Sequence, residues 1–470
     1  MKIHSKKSSV TLFLSLSLSI FIGFNLLLTE ISIYNAEKLR FETITDIAIN
    51  AVLGEYSKAL FERYGLFYID ASYLEGDPSI DRVQERIKYY LSRNSDDVFS
   101  NHHAPWGRIA FDEVNVKEFE TACANMGASL RNQVNHEVLK SDCFDESCQI
   151  VDKVIKEGNI PESYLERDAL REWRELMEMI SGMELPKIMI NGKEEEVPLS
   201  NPSDGVFSMC GSDLIYLSVM DMNGLSDACV ELESYISHKP AENTQSFDRS
   251  FLDSKELFVS FQTEKLGNYM QQKEDGLLHC QREYVLFGRE SDFDNVKEFL
   301  NTCFALRMAD NTKLAFEDPV LYEEALSTAM ELLAVSLAPE FLIPVTSSIL
   351  YACAFLETVC DLRVLVHGGT VPIVKSSHHM SVRKVSSSLL YEEAFDEGFC
   401  YEEYLTWFLL RMNPELSTMR TMDIFEMDIR LLTSNMHFSM DYCVERVNVT
   451  ITGKGSYGKQ MWERRKYGYF

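Results

Sequence analysis

Apolar positions are most concentrated at the start of the chain, where a run from Val10 to Leu28 contains no charged residue. At about 1.5 Å of rise per residue this run spans about 28 Å as a helix, close to the hydrocarbon thickness of a bilayer. Leu12 to Ser19 alternates Leu or Phe with Ser, a period of two that taken alone reads as a half-buried strand. The uncharged length overrides that pattern, because a lone strand leaves its backbone unsatisfied in lipid and a helix does not. Beyond Leu28 the spacing becomes helical and amphipathic: Ile31, Tyr34, Phe41, Ile44, Ala48, Val52 and Leu60 recur, with no Gly or Pro from Ile31 up to Gly54. Gly65 stands where a C-terminal cap belongs. The pattern predicts one rod from Val10 to Tyr64, about 80 Å long.

Past Gly65 the elements shorten. Gly65 to Asp70 reads as a turn into a short strand, Ile80 to Arg93 as a charged amphipathic helix, Arg108 to Val116 as a strand, and residues 117–140 as helix. Ser163 to Ile180 is a further amphipathic helix, and Asn191-Gly192 between apolar runs is a hairpin signal. Residues 237–255 are loop-like and mark the boundary between two parts of the head, 66–236 and 256–470. The second part is mostly helical, with helices at Glu256–Met270, Asn295–Met308, Leu321–Leu337, Phe341–Val366, Tyr401–Met412 and Thr421–Leu432. Phe341 to Leu356 is apolar enough to raise a second membrane span. It is short, contains Pro344 and leads straight into Glu357, Asp361 and Arg363, so it reads as a core helix. Tyr442 to Thr452 alternates as a late strand. The fold class is α+β: an N-terminal transmembrane helix (10–28) behind a basic tip (1–9), a stalk helix (29–65), and a mainly helical head with short antiparallel β segments.

Charge sets direction and excludes partners. Lys2, Lys6 and Lys7 precede the run and no acid appears before Glu30, which places the N-terminus in the cytoplasm and the rest of the chain outside the cell. The apolar region is longer than a usual signal-peptide core and no A-x-A follows it, so an uncleaved anchor is expected. A net charge of -28 argues against nucleic acid as a partner. Thr11, Ser15, Ser19 and Gly23 fall four apart, a small-residue ridge that lets a second membrane helix, another copy of the chain included, approach closely. A helix half in the membrane and half on a globular head is the plan of a pilin or pseudopilin. Glu30, however, follows the apolar run, where a prepilin site would precede it; it reads as the interfacial end of the span.

No catalytic, cofactor or metal set emerges. Gly453-Lys454-Gly455-Ser456-Tyr457-Gly458 is a literal G-x-G-x-x-G, but too little chain follows to complete a dinucleotide-binding unit, so it reads as a turn. His102-His103 and His378-His379 lack ligand spacing, Asp292 to Asn295 lacks the glycine and final Glu of a calcium loop, and His367-Gly368-Gly369 has no nucleophile elbow. The eleven cysteines, an odd number without any C-x-x-C, read mainly as scattered buried thiols, and a few disulfides are open to an exported head.

The chain resembles an uncharacterised family of Gram-positive envelope proteins encoded beside tight-adherence (Tad-type) pilus genes and described as TadE/TadG-like. The resemblance rests on Ser9 to Leu16, Glu55-Tyr56, Leu60-Phe61, Tyr64 to Phe67, Asn201-Pro202, Glu283 to Gly288 with Asp292 and Asn295, Glu357 with Asp361 to Arg363, Gly368-Gly369, Val371 to Lys375, Tyr401 to Leu405 and Tyr467 to Tyr469. It implies a membrane-anchored extracellular component of pilus or adhesion machinery, partnered by the membrane and by other envelope proteins, with no activity attached. A surface binding module outside any filament and an exported enzyme are the alternative readings.

Overall fold

The computed structural model describes residues 3–74, 76–96, 109–159, 175, 185, 187–190, 193–198, 201–209, 213–219, 224–240, 242, 245–248, 250–334, 339–376, 380, 382, 395 and 397–469. In chain order the principal elements are α1 (Ile3–Leu53), α2 (Lys58–Tyr64), β1 (Ile69–Asp70), α3 (Ile80–Asp96), β2 (Ala110–Thr121), α4 (Ala124–Lys140) and α5 (Asp145–Glu157). The hairpin β3 (Lys187–Ile190) and β4 (Lys193–Pro198) follows, then α6 (Asp204–Met209), α7 (Leu214–Ser218), α8 (Lys255–Lys265), α9 (Gln281–Phe287) and α10 (Asp292–Glu317). The chain closes with α11 (Pro319–Leu333), α12 (Leu342–Val366), α13 (Tyr401–Leu409), α14 (Pro414–Thr433), β5 (Cys443–Lys454) and β6 (Gln460–Gly468). The fold is mostly helical with a small antiparallel sheet, as the sequence predicts. The Ser163–Ile180 helix and both His-His pairs lie outside the described residues, apart from helical Glu175.

The chain forms two compact units built from interleaved segments. One comprises Met1–Gln133, Pro240–Leu252 and Ile429–Phe470; the other comprises Val134–Lys239 and Asp253–Asp428. The sequence reading of two consecutive parts joined at 237–255 differs from this, because most of that stretch, residues 240–252, belongs with the two chain ends.

In the unit that holds the chain ends, β5 is the central strand. It pairs antiparallel with β2 on one side, and with β6 and β1 on the other. Val447, Val449 and Ile451 alternate onto one face of β5, and α1 and α3 cover them with Phe41, Ile44, Ala48, Val52, Val83, Ile87 and Leu91. Positions 41, 44, 48 and 52 on α1 and 83, 87 and 91 on α3 are helical neighbours, so each helix presents one apolar stripe to the sheet. Phe41 stacks on Phe111 with ring centroids 5.0 Å apart.

Two expectations are corrected here. The predicted rod is two helices: α1 ends at Leu53, the Gly54 N–H donates to the Asn50 carbonyl, and Ser57 caps the short α2 with its hydroxyl accepting from the Leu60 N–H. Gly65 does close α2, at φ 76°, a left-handed conformation that costs glycine little. Residues 117–121, read as the start of a helix, continue β2; register shifts at Phe111/Glu113, Val116/Glu118 and Glu120/Thr121 let the strand follow β5.

In the other unit α10 and α12 form the centre. Phe299, Leu300, Cys303 and Phe304 lie buried in the same core as Ile349, Leu350, Cys353, Phe355 and Leu356. Phe304 and Phe355 meet edge-on at 5.6 Å. Nearly every residue of α12 from Val345 to Val366 is buried, which is the core helix expected in place of a second span. Ser291 caps α10 and Asp318 caps α11 through its carboxylate, with Pro319 at the first helical position, so both helices begin at sequence-encoded stops.

Candidate functional site

The feature that distinguishes this molecule is α1, whose two halves meet opposite environments. Every large apolar side chain from Val10 to Ile31 is 48–69% exposed, whereas Phe41 is fully buried. By length and composition this is the one described helix that qualifies as a membrane span or signal helix. Its polar groups turn back on the helix itself. The Ser19 hydroxyl donates to the Ser15 carbonyl (2.9 Å), Asn25 Nδ2 to Phe21 (2.8 Å) and Thr29 to Asn25 (2.8 Å). Internal satisfaction of this kind lowers the penalty for placing hydroxyl and amide groups in lipid. Ser15, Ser19 and Gly23 lie exposed with Thr11 along one helix face, and a Cβ added at Gly23 would meet nothing within 4 Å.

From Glu30 onward the helix is seated on β6 and on the β5–β6 turn. Glu30 Oε1 lies 2.8 Å from Lys459 Nζ, and the same ammonium stands 5.3 Å from the Tyr34 ring. Glu30, the first charged residue after the apolar run, therefore carries an ion pair. Glu37 is 3% exposed and its carboxylate accepts the Ser456 N–H at 3.2 Å. Asp46 Oδ1 accepts from Arg465 Nε (3.0 Å) and from the Tyr467 hydroxyl (2.8 Å), and Tyr469 donates to the Leu53 carbonyl. Burial and the bond to Asp46 hold the Tyr467 phenol above its usual range. The alternation of β6 explains the set: Glu463, Arg465 and Tyr467 point to one face, as period two requires. Exposed pairs such as Glu30–Lys459 contribute at most about 1 kcal/mol each. The buried Phe41, Ile44 and Ala48 contribute more, at about 25 cal/mol per Å² of apolar surface.

The G-x-G-x-x-G begins on the last two residues of β5 and turns at 455–458 into β6. The Gly455 N–H donates to Lys459 (2.9 Å), the Gly458 N–H to Gly455 (3.2 Å), and Gly458 has φ 70°. Gly455 packs closely on Glu37: a Cβ there would lie 2.4 Å from Glu37 Oε2, so the carboxylate would have to move away from the Ser456 N–H.

Several residues behind the family resemblance meet elsewhere, in a closed ionic cluster between α10 and α12. Lys375 Nζ lies 2.6 Å from Glu357 Oε1 and 2.5 Å from Asp361 Oδ1. Arg307 contacts Asp361 through Nε (3.0 Å), Asp310 through Nη2 (3.1 Å) and the Ile373 carbonyl through Nη1 (2.6 Å). Asn311 Nδ2 donates to Asp361 and to Thr358. The backbone N–H groups of Lys375 and Val382 donate to Asp310 and Glu357, so the cluster ties these two residues to α10 and α12. Burial raises the Asp361 carboxyl, and Lys375 and Arg307 outweigh it, leaving the group below its ordinary range. These side chains are 0–4% exposed. Sealed from solvent, they fix the core and offer no face to a substrate.

A second buried group joins Glu283, Tyr401 and Arg282. Glu283 Oε1 accepts from the Tyr401 hydroxyl and from the Tyr269 N–H, both at 2.8 Å, while Arg282 pairs with Glu402 at 2.5 Å. Burial pushes the Glu283 carboxyl up to about 7. Glu283 and Tyr401 both belong to stretches that carry the family resemblance, but they stand 118 residues apart, so nothing local in the sequence brings them together. Among the described residues no three His, Cys, Asp or Glu side chains stand in metal-holding geometry. Among the described cysteines, Cys143, Cys148, Cys229, Cys280, Cys303, Cys353, Cys360 and Cys400 are free thiols.

A model of a family of unknown function, DUF5702, matches residues 192–455. That is more than half of the chain, and the chain belongs to this family. No curated protein and no solved structure matches it significantly.

Proposed function

We propose that this DUF5702 member is a membrane-anchored extracellular structural or assembly component of a Tad-type pilus or a related surface adhesion system. The observation that carries the anchor is the division of α1: an uncovered apolar half continuous with a half that builds the core of its unit. Cleavage after Ala36, the first alanine past the apolar run, would sever the Glu30–Lys459 link and make buried Glu37 the free end. This favours an anchor that stays attached. Lys2, Lys6 and Lys7 hold the N-terminus in the cytoplasm, and the acidic head lies outside the cell. The assignment to pilus machinery comes from the family resemblance.

The mechanism is mechanical. The Thr11, Ser15, Ser19 and Gly23 ridge packs against a partner helix in the membrane, and the stalk half of α1 holds the head at a set height for protein contacts. The test is a deletion strain examined for surface filaments, with the protein followed through filament purification. Loss of piliation, or co-purification with filaments or their assembly platform, supports the role. Normal piliation with the protein absent from both fractions rejects it.

A further inference from the structure

We infer that the β5–β6 turn is a second, peripheral membrane contact, lying in the phospholipid headgroup layer beside the span. The inference rests on the anchor reading and deepens it by naming what the head touches. Glu30 lies two residues past Leu28, about 3 Å along a helix. The headgroup layer extends about 5–8 Å beyond the hydrocarbon on each side. Lys459, whose ammonium is 2.8 Å from Glu30, is therefore held at headgroup depth.

The alignment of the two elements fixes the orientation. Lys459 meets Glu30, Arg465 and Tyr467 meet Asp46, and Tyr469 meets Leu53, so β6 and α1 leave the membrane side by side in the same direction. Their lengths agree: Glu30 to Leu53 rises about 34 Å as helix, and Lys459 to Tyr469 about 33 Å as strand. Only the turn end of the hairpin can then meet the bilayer.

The charge at that end fits lipid. In a chain of net charge -28, the tip carries Lys454 and Lys459, paired with Asp112 and Glu30 at 2.8 Å each. Local neutralisation removes the repulsion that an acidic head would otherwise feel from phosphates. Both side chains are 40% or more exposed, leaving ammonium donors free to reach phosphate oxygens.

The test uses the full-length protein reconstituted in vesicles of phosphatidylcholine and phosphatidylglycerol with a radiolabelled phospholipid tracer. A benzoylphenylalanine photo-crosslinker replaces Gln460 at the turn or Lys466 at the far end of β6. Both positions are exposed on the same strand face, six residues and about 20 Å apart. Substitution at Lys454 reads the same tip from β5 should the Gln460 variant fold poorly. Carbonate extraction of the same vesicles reports the anchor independently. The expected result is several-fold more lipid adduct from 460 or 454 than from 466, in protein that resists extraction. Equal or absent lipid adducts in extraction-resistant protein overturn the turn contact and leave the anchor standing. Protein released by carbonate overturns the anchor reading and the turn contact with it.

Discussion

Replacing Asp361 with Ala removes the carboxylate shared by two buried cations. It accepts from Arg307, Asn311 and Lys375, and its loss leaves Arg307 with Asp310 and Lys375 with Glu357 as their remaining carboxylates. Breaking a buried pair by deleting one partner costs about 3–5 kcal/mol, against about 5–15 kcal/mol for a whole domain. At about 2–4 °C per kcal/mol for a domain of this size, the expected loss in melting temperature is about 6–20 °C. The assay is thermal unfolding of the detergent-solubilised full chain by circular dichroism. The pH dependence supplies an independent arm. Because the folded carboxyl sits below its unfolded value of about 3.9, its contribution is full above that pH and is lost as pH falls through the folded value. Wild type and Asp361→Ala should therefore differ most above about pH 4 and converge in stronger acid. In a double-mutant cycle, Lys375→Met with Glu357→Leu should cost less than the sum of the single changes. A shift under about 3 °C at neutral pH would refute the reasoning, since it would mean the cations find equal partners elsewhere.

Further expectations follow from the same structure. Glu283 has a folded value of about 7, above its unfolded one, so its neutral form favours the fold and that contribution is lost as pH rises from about 4.5 to 7. Glu283→Gln should flatten the decline of stability with pH across that window, and an unchanged slope in denaturant titrations would contradict it. Phe41→Ala, at a fully buried site, should cost about 3–5 kcal/mol, whereas Arg465→Ala, at a part-exposed ion pair, should cost no more than about 1 kcal/mol by the same measurement. Native alkylation followed by peptide mapping should label exposed Cys143 and Cys229 first. Cys353 and Cys360, pushed up to about 12 and about 11 by burial, should react only on unfolding.

The parts of this fold that could be read in the sequence are those whose signals are local. The uncharged Val10–Leu28 run, the cap at Gly65, the Asn191-Gly192 hairpin and the late strand each carry their evidence within a few residues. The same holds for α12, where Pro344 and the acids at 357 and 361 marked a core helix before its burial was known. The break after Leu53 was also local, since Gly54 and Ser57 supply a stop and a cap, but continuing apolar spacing to Leu60 concealed it. Lys117 to Thr121 fits strand or helix equally, and only pairing with β5 decides it. The seat of α1 lay beyond sequence reach: Asp46 and Arg465 are 419 residues apart, and nothing local assigns one to the other. The interleaving of the two units was hidden for a similar reason, because two of its boundaries fall inside α4 and α14, where composition does not change.

The central claim is that α1 stays whole, half in lipid and half in the head. It is tested most directly by N-terminal sequencing and intact mass of the protein in the carbonate-resistant membrane fraction. The account predicts a chain that begins upstream of Val10 and resists extraction. A mature protein beginning beyond Leu28 and recovered in the soluble fraction would contradict it.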